Sequence, residues 1–387
     1  MSRPASRLLD RLSRVVTPGR RLIPQIDGFR FVAISSVFFY HIATTISGQG
    51  TSTTSPNLAI RFLMDVGRYG VELFFVISGF VLALPFVRAR LAGGKPVSLR
   101  AYFLRRVTRL EPPYFFLMLA IFTVECASGA FLARDMWPHL IAGMVYQHNA
   151  IYGVMNPVLG ATWSLEVEIQ FYVLTPILTG IFLVRNHRLR RALLVALILD
   201  FGLSHYYATQ FRYFGSVIGH LQEFFAGYLL ADIYVVDWRE SPTESRAWDG
   251  VAILCWIAIW PLVSYQRFFY PIEPLVILLA YCSSIRGRYC RRVFGNPWLV
   301  AIGGMCYTIY LVHGPIIVHA LQLGLGRIGP MPFGHALLFW SVVLTPLTLA
   351  VSGILFVVLE RPCMNPAWPA LFLAWVRSKV HRNSGVV

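Results

Sequence analysis

The residues best placed to do chemistry are Arg30 and His41, separated by FVAISSVFFY, a run that is nearly all apolar or small. On a helix this spacing is three turns, ~16 Å along the axis and about 20° from exact alignment. A helix this apolar suits a bilayer core about 30 Å thick. With Arg30 at the water boundary, His41 falls near the membrane centre on the same stripe. An imidazole there is either a satisfied core histidine or a group that exchanges protons. Two more arginines, Arg106 and Arg109, share a helix face at i,i+3, where paired guanidiniums can fork onto phosphate oxygens or simply anchor the chain at the inner boundary.

Further ionisable groups are spread along apolar stretches. Glu72 lies about one turn into GVELFFVISGF, and His313 lies in YTIYLVHGP. Glu166 and Glu168, in TWSLEVEIQFY, are two residues apart and point about 160° away from each other. Glu168 is the deeper and requires a partner, whereas Glu166 is expected to snorkel to the outer surface. His220 and Glu223 share a face at i,i+3. An isolated ionisable group in lipid costs about 2.5 kcal/mol or more. His41, Glu72, Glu168, His220, Glu223 and His313 are therefore expected to face one hydrated cavity, with Arg30, Arg106 and Arg109 at its inner mouth.

The elements that must position these groups follow from composition. The 387 residues are 56% hydrophobic and 13% charged, with mean hydropathy +0.60, which describes an integral membrane protein. The fold class is an all-α polytopic membrane protein. About ten transmembrane helices surround a central cavity, at 29–47, 67–88, 112–132, 162–184, 191–209, 214–236, 250–266, 270–286, 298–322 and 335–359. With the N-terminus inside, most of the 34 Lys and Arg fall on cytoplasmic segments, against Arg61, Arg68, Arg134, Arg212, Arg267 and Arg327 on the other face. This bias places both termini in the cytoplasm. The net charge of +16 is then a topology signal, and no nucleic-acid partner is expected. The expected organisation is a basic N-terminal segment over 1–26, a transmembrane domain over 27–362 and a C-terminal tail over 363–387.

Residues 1–24 are Arg-rich with helically spaced Leu and Val, suiting a surface helix on anionic lipid; a cleaved transit peptide looks similar. The first outer loop (GQGTSTTSPN) reads as polar and flexible. Proline at 112 and 113 reads as the start of the third span. Segment 133–161 reads as a re-entrant or surface piece. The six cysteines suggest no disulfide framework, no metal-ligand spacing stands out, and no soluble domain is expected at either end.

The motifs, in order, resemble those of the membrane acyltransferase-3 family, the integral O-acyltransferases that decorate cell-surface glycans. Arg30-x10-His41, GVELFFVISGF, FLRRVTRLEPPY, WSLEVEIQFY, YTIYLVHGP and Glu360-Arg361-Pro362 carry the resemblance over nearly the whole chain. Ile169 and Glu72 depart from the usual residues at their places. Many relatives carry an extracytoplasmic hydrolase-like domain after the bundle; none is expected here. The resemblance implies transfer of an acyl group, usually acetyl, from cytoplasmic acetyl-CoA, a co-substrate, to a hydroxyl of an extracytoplasmic saccharide or glycolipid. It implies the bacterial inner (plasma) membrane as location, with membrane lipids as further partners.

In that frame Arg30, Arg106 and Arg109 would hold the CoA phosphates and His41 would act as general base, its ring oriented by Glu168. Trp163 and Ser164 would stabilise the oxyanion or contact substrate. Glu72 and His313 would bind the acceptor or hold the bundle together. A covalent acyl-His41 relay is an alternative within the same class. A transporter or flippase of a glycan or lipid-linked precursor, or a non-catalytic scaffold, are the alternatives from other classes.

Overall fold

The computed structural model describes residues 3–15, 22–49, 52–208, 210–264, 269–365, 367–370 and 374. Arg267 and nearly all of the expected tail beyond 370 lie outside the described residues. Among the described residues the chain is all-helical, with two isolated β-bridges, Ser52 to Met331 and Ser245 to Gly287. Six helices are long and apolar enough to cross a membrane: Pro24–Gly48, Gly70–Leu91, Leu99–Ala127, Thr162–Leu183, Cys306–Gly324 and Phe333–Cys363. Helices also cover much of the other expected spans among the described residues.

In chain order the helices are α1 (Arg3–Leu12), α2 (Pro24–Gly48), α3 (Leu58–Arg68), α4 (Gly70–Leu91), α5 (Leu99–Ala127), α6 (Ala133–Met144), α7 (His148–Tyr152) and α8 (Thr162–Leu178). Then follow α9 (His187–Tyr207), α10 (Leu221–Val236), α11 (Arg246–Ser264), α12 (Glu273–Arg286), α13 (Arg288–Phe294), α14 (Pro297–Gly304), α15 (Cys306–Ile328) and α16 (Phe333–Leu355). A helix apolar on all sides belongs inside a bundle, and α4 and α10 are buried over most of their lengths. They cross at Gly79 and Gly227, where any side chain would run into the facing backbone of Phe224 or Val76. This is the small-residue contact that lets membrane helices touch main chain to main chain. By contrast, α5 and α16 turn Phe116, Leu119, Val124, Leu338, Val342 and Ile354 outward.

Three expectations are corrected, and one helix, α3, is added to them. The third span does not start at Pro112: α5 runs unbroken through Pro112 and Pro113 from Leu99. Pro112 has no N–H for the carbonyl of Thr108, and the indole Nε1 of Trp368 donates to that carbonyl instead, at 2.8 Å. The first outer loop is followed by a helix, α3, whose Gly67 passes against the backbone and Cβ of Ser36 and Tyr40 in α2. The expected span 298–322 breaks at Met305 into α14 and α15, because Gly303 is pressed onto the backbone of Asp27 where no side chain fits.

Glu166 does not snorkel. It is fully buried, and its Oε2 accepts the Asn149 backbone N–H at 2.9 Å, pinning α7, within segment 133–161, onto α8. Several arginines that read as boundary anchors also tie helices together. Arg88 forks onto Glu240 at 2.6 and 2.7 Å; Arg190 and Arg191 share Asp232 at 2.5 and 2.7 Å.

Candidate active site

A cavity of about 690 Å³ runs through the bundle between α2, α4, α5, α8 and α15. On α4 its wall extends from Val71 to Arg88, about 26 Å of helix by rise per residue. Around Arg88 the lining is basic, with Lys95, Arg105, Arg106 and Arg109, and Arg14 and Arg30 also face the space. Towards Val71 it becomes apolar and hydroxyl-bearing, with Val37, Phe74, Phe75, Ser164, Leu165 and Tyr310.

The three arginines expected at the mouth all line this cavity, each held differently. Arg106 donates to the Tyr102 carbonyl at 2.8 Å, and its guanidinium lies 3.7 Å from the centre of the Tyr102 ring and 5.2 Å from that of Tyr172. Arg109 pairs with Glu360 at 3.3 Å, and the buried Glu360 also accepts from Thr308 at 2.7 Å. Arg30 donates to Asp27 Oδ1 at 2.5 Å. Rigid guanidiniums with their planes fixed by carboxylates or rings suit the tetrahedral oxygens of a phosphate.

Further in, Glu168 lines the cavity. Its Oε1 accepts from Ser78 and from Tyr172, both at 2.6 Å. These short bonds satisfy the carboxylate that the sequence placed too deep to stand alone. Beside it Ser164 Oγ and the Tyr310 hydroxyl lie 2.9 Å apart on the cavity wall.

His41 stands one turn beyond Val37 on α2, past the apolar end of the cavity. Its ring meets His313, with centroids 5.1 Å apart. His313 is fully buried, and its Nδ1 lies 2.7 and 3.1 Å from the carbonyls of Tyr310 and Ile309. Carbonyls only accept, so Nδ1 is the donor and Nε2 of the neutral ring carries the lone pair. That Nε2 has no hydrogen-bond partner among the described residues. The residue against the His41 ring is thus a second imidazole rather than Glu168.

The single hydrated chamber expected from the sequence resolves into separate groups. Glu168 belongs to the cavity; His41 and His313 pair at its end. Glu72 is buried elsewhere, within electrostatic reach of His220 and Glu223, and Glu273 of α12 joins that cluster. His220 lies 3.7 Å from Glu223 and packs against Phe75, whose other neighbour is the cavity. Trp163 stacks towards Phe214 and His220, on the side of this acid cluster, while its neighbour Ser164 faces the cavity. Phe75 of α4 stands between the two groups, lining the cavity and packing against His220. Among the described residues no set of three or more His, Cys, Asp or Glu is placed to hold a metal ion.

Sequence reading missed Arg14, Ser78, Tyr172, Tyr310 and the Asp27 carboxylate. Tyr172 had a signal, since it stands at i+4 from Glu168 on one helix. The partner of Ser78, Glu168, is remote in sequence, and that of Arg14, Asp27, lies on the next helix.

Among the described residues, an all-helical bundle with six helices long and apolar enough to cross a membrane, enclosing a basic-mouthed cavity, defines an integral membrane protein. Residues 23–358 match the family model for the acyltransferase domain of the acyltransferase-3 type, and the chain belongs to that family of acyltransferases, as its motifs indicated. It is 26% identical over 349 residues to the peptidoglycan O-acetyltransferase OatA of Listeria monocytogenes, covering 79% of this chain and 51% of that protein. It is 26% identical over 340 residues to the O-acetyltransferase OatA of Staphylococcus aureus, covering 80% and 52%. A putative O-acetyltransferase of S. aureus strain COL is 23% identical over 327 residues, covering 77% and 51%. The chain thus spans about half the length of these curated relatives. No solved structure gives a significant match.

Proposed function

We propose that this protein transfers an acetyl group from acetyl-CoA, entering on the cytoplasmic side, to a hydroxyl of a cell-wall or other surface saccharide on the far side of the membrane. The observation that carries this reading is the cavity itself: guanidiniums at one end, and a hydroxyl-bearing apolar end one helical turn short of His41. CoA phosphates rest on Arg106, Arg109 and Arg30, and the pantetheine arm threads inward past Glu168. The thioester then stops near Ser164 and Tyr310.

His41 takes the proton of the acceptor hydroxyl as its oxygen attacks the thioester carbonyl. The Ser164 and Tyr310 hydroxyls donate to the oxyanion that forms. Collapse breaks the carbon–sulfur bond, and the leaving thiolate recovers the proton from the imidazolium. His313 holds the facing ring in place, its Nδ1–H tied to backbone carbonyls. In this reading α9 to α12 complete about ten crossings, both termini are cytoplasmic, and the membrane is the bacterial inner membrane.

The test is purified full-length protein in lipid nanodiscs with acetyl-CoA and soluble peptidoglycan fragments. Release of free CoA thiol coupled to an acetylated saccharide, detected by mass spectrometry, is the expected result. Saccharide crossing a proteoliposome membrane without CoA turnover would overturn it in favour of a transporter.

A further inference from the structure

The described part of the N-terminal segment does more than lie on a membrane surface. Leu9 is buried against the bundle. Arg361, in the Glu360-Arg361-Pro362 motif just past the family match, donates to the backbone carbonyls of Asp10 and Ser13 at 3.3 and 3.4 Å. The methylenes of the next residue, Arg14, lie against Gly304, where a Cβ would stand 3.0 Å from Arg14 Cγ.

From there the Arg14 guanidinium enters the cavity wall. Its side chain is 19% exposed, and NH1 donates at 2.8 Å to Asp27 Oδ1, the oxygen that Arg30 also uses. It lies within electrostatic reach of Arg30 and Arg109 as well. Three guanidiniums, two from the start of the chain and one from α5, therefore converge, held by two carboxylates, Asp27 and Glu360. Gathering like charges in a partly desolvated wall is unfavourable unless an anion completes the balance.

We infer that Arg14 is a further ligand for the phosphates of the acyl-CoA donor, and that Arg361 is a positioning residue holding residues 10–13 so that Arg14 reaches the cavity. This rests on the reading of the cavity as a donor site. The closing motif then has two jobs on one turn. Glu360 sets Arg109, and Arg361 sets Arg14.

The test is equilibrium binding of radiolabelled acetyl-CoA to the full chain in nanodiscs. Loss of one charge-assisted contact predicts that Arg14→Gln weakens binding about tenfold. Arg14→Lys, which keeps the charge, should recover part of this, and its partial recovery separates a lost contact from a lost fold. Arg361→Gln should weaken binding less, and the double variant should bind no worse than Arg14→Gln alone, because both changes remove one contact. Arg361→Gln adding its full effect on top of Arg14→Gln would overturn the positioning role. Wild-type binding retained in Arg14→Gln, with Arg109→Gln weakened, would overturn the Arg14 assignment while leaving the donor site standing. Failure of the wild type itself to bind acetyl-CoA would overturn the donor-site reading and this inference with it.

Discussion

Replacing His41 by Gln removes the one proton acceptor that stands at the end of the cavity on α2 and changes little else. Nothing nearby substitutes for it well. Glu168 Oε1 is already engaged by Ser78 and Tyr172. His313 keeps an unpartnered Nε2, but its ring is anchored through Nδ1 to the backbone one turn below. Loss of a positioned general base costs about 100- to 10,000-fold in turnover, or about 2.7–5.5 kcal/mol in the barrier.

Acetyl-CoA binding should hold within about threefold, because the group lost acts in the transition state and not on the donor phosphates. The assay is free-thiol release by full-length protein in nanodiscs with a peptidoglycan fragment as acceptor, alongside acetyl-CoA binding on the same preparation. His313→Gln should lose about tenfold on its own. The double variant should fall little further than His41→Gln, since the two rings act as one unit. A His41→Gln protein keeping more than about a tenth of turnover would refute the reasoning. So would one whose binding and turnover fall together.

Three further outcomes follow from the structure. Gly227→Leu would drive a side chain into the Val76 backbone, so the protein should fail to elute as a monodisperse peak after detergent extraction, whereas Gly250→Leu, at a position with open space around it, should elute normally. Trp368→Phe leaves the Thr108 carbonyl without its donor and should lower the thermal-unfolding midpoint, reflecting a loss of about 1–2 kcal/mol. Raising NaCl from about 0.05 to about 0.5 M should weaken acetyl-CoA binding several-fold through screening of the basic mouth, while the unfolding midpoint moves little.

Much of the site was legible because membrane placement is costly for polar groups and leaves few innocent reasons for them. The Arg30–His41 spacing, the depth of Glu168 and the pairing of Arg106 with Arg109 on one face could be read from helical geometry alone. The structure puts the three arginines and Glu168 on one cavity and His41 just past its end. What could not be read was side-chain company across the bundle. Depth along the membrane normal is a one-dimensional coordinate. It merged Glu72, His220 and Glu223 with His41, although α4 stands between them. Proline at 112 looked like a helix start because its missing N–H is harmless there, and the donor from Trp368, more than two hundred residues away, left no local trace. Glu166 looked free to reach water because the backbone donor that holds it, the N–H of Asn149, comes from an earlier short helix whose folding back onto α8 leaves no trace in helical spacing.

The arrangement of α4 and α10 bears on how the protein meets its solvent. At 16 residues α10 is about 24 Å long, short of a full hydrocarbon thickness, yet nearly every side chain on it touches protein. Lipid sees the outer faces of peripheral helices such as α5, α9, α11 and α16. A thinner or thicker bilayer therefore strains the periphery first, through tilt and rim adjustment. The inner pair, locked glycine to glycine, keeps its register, so the cavity from the arginine mouth to Val37 is shielded from the thickness of the membrane around it.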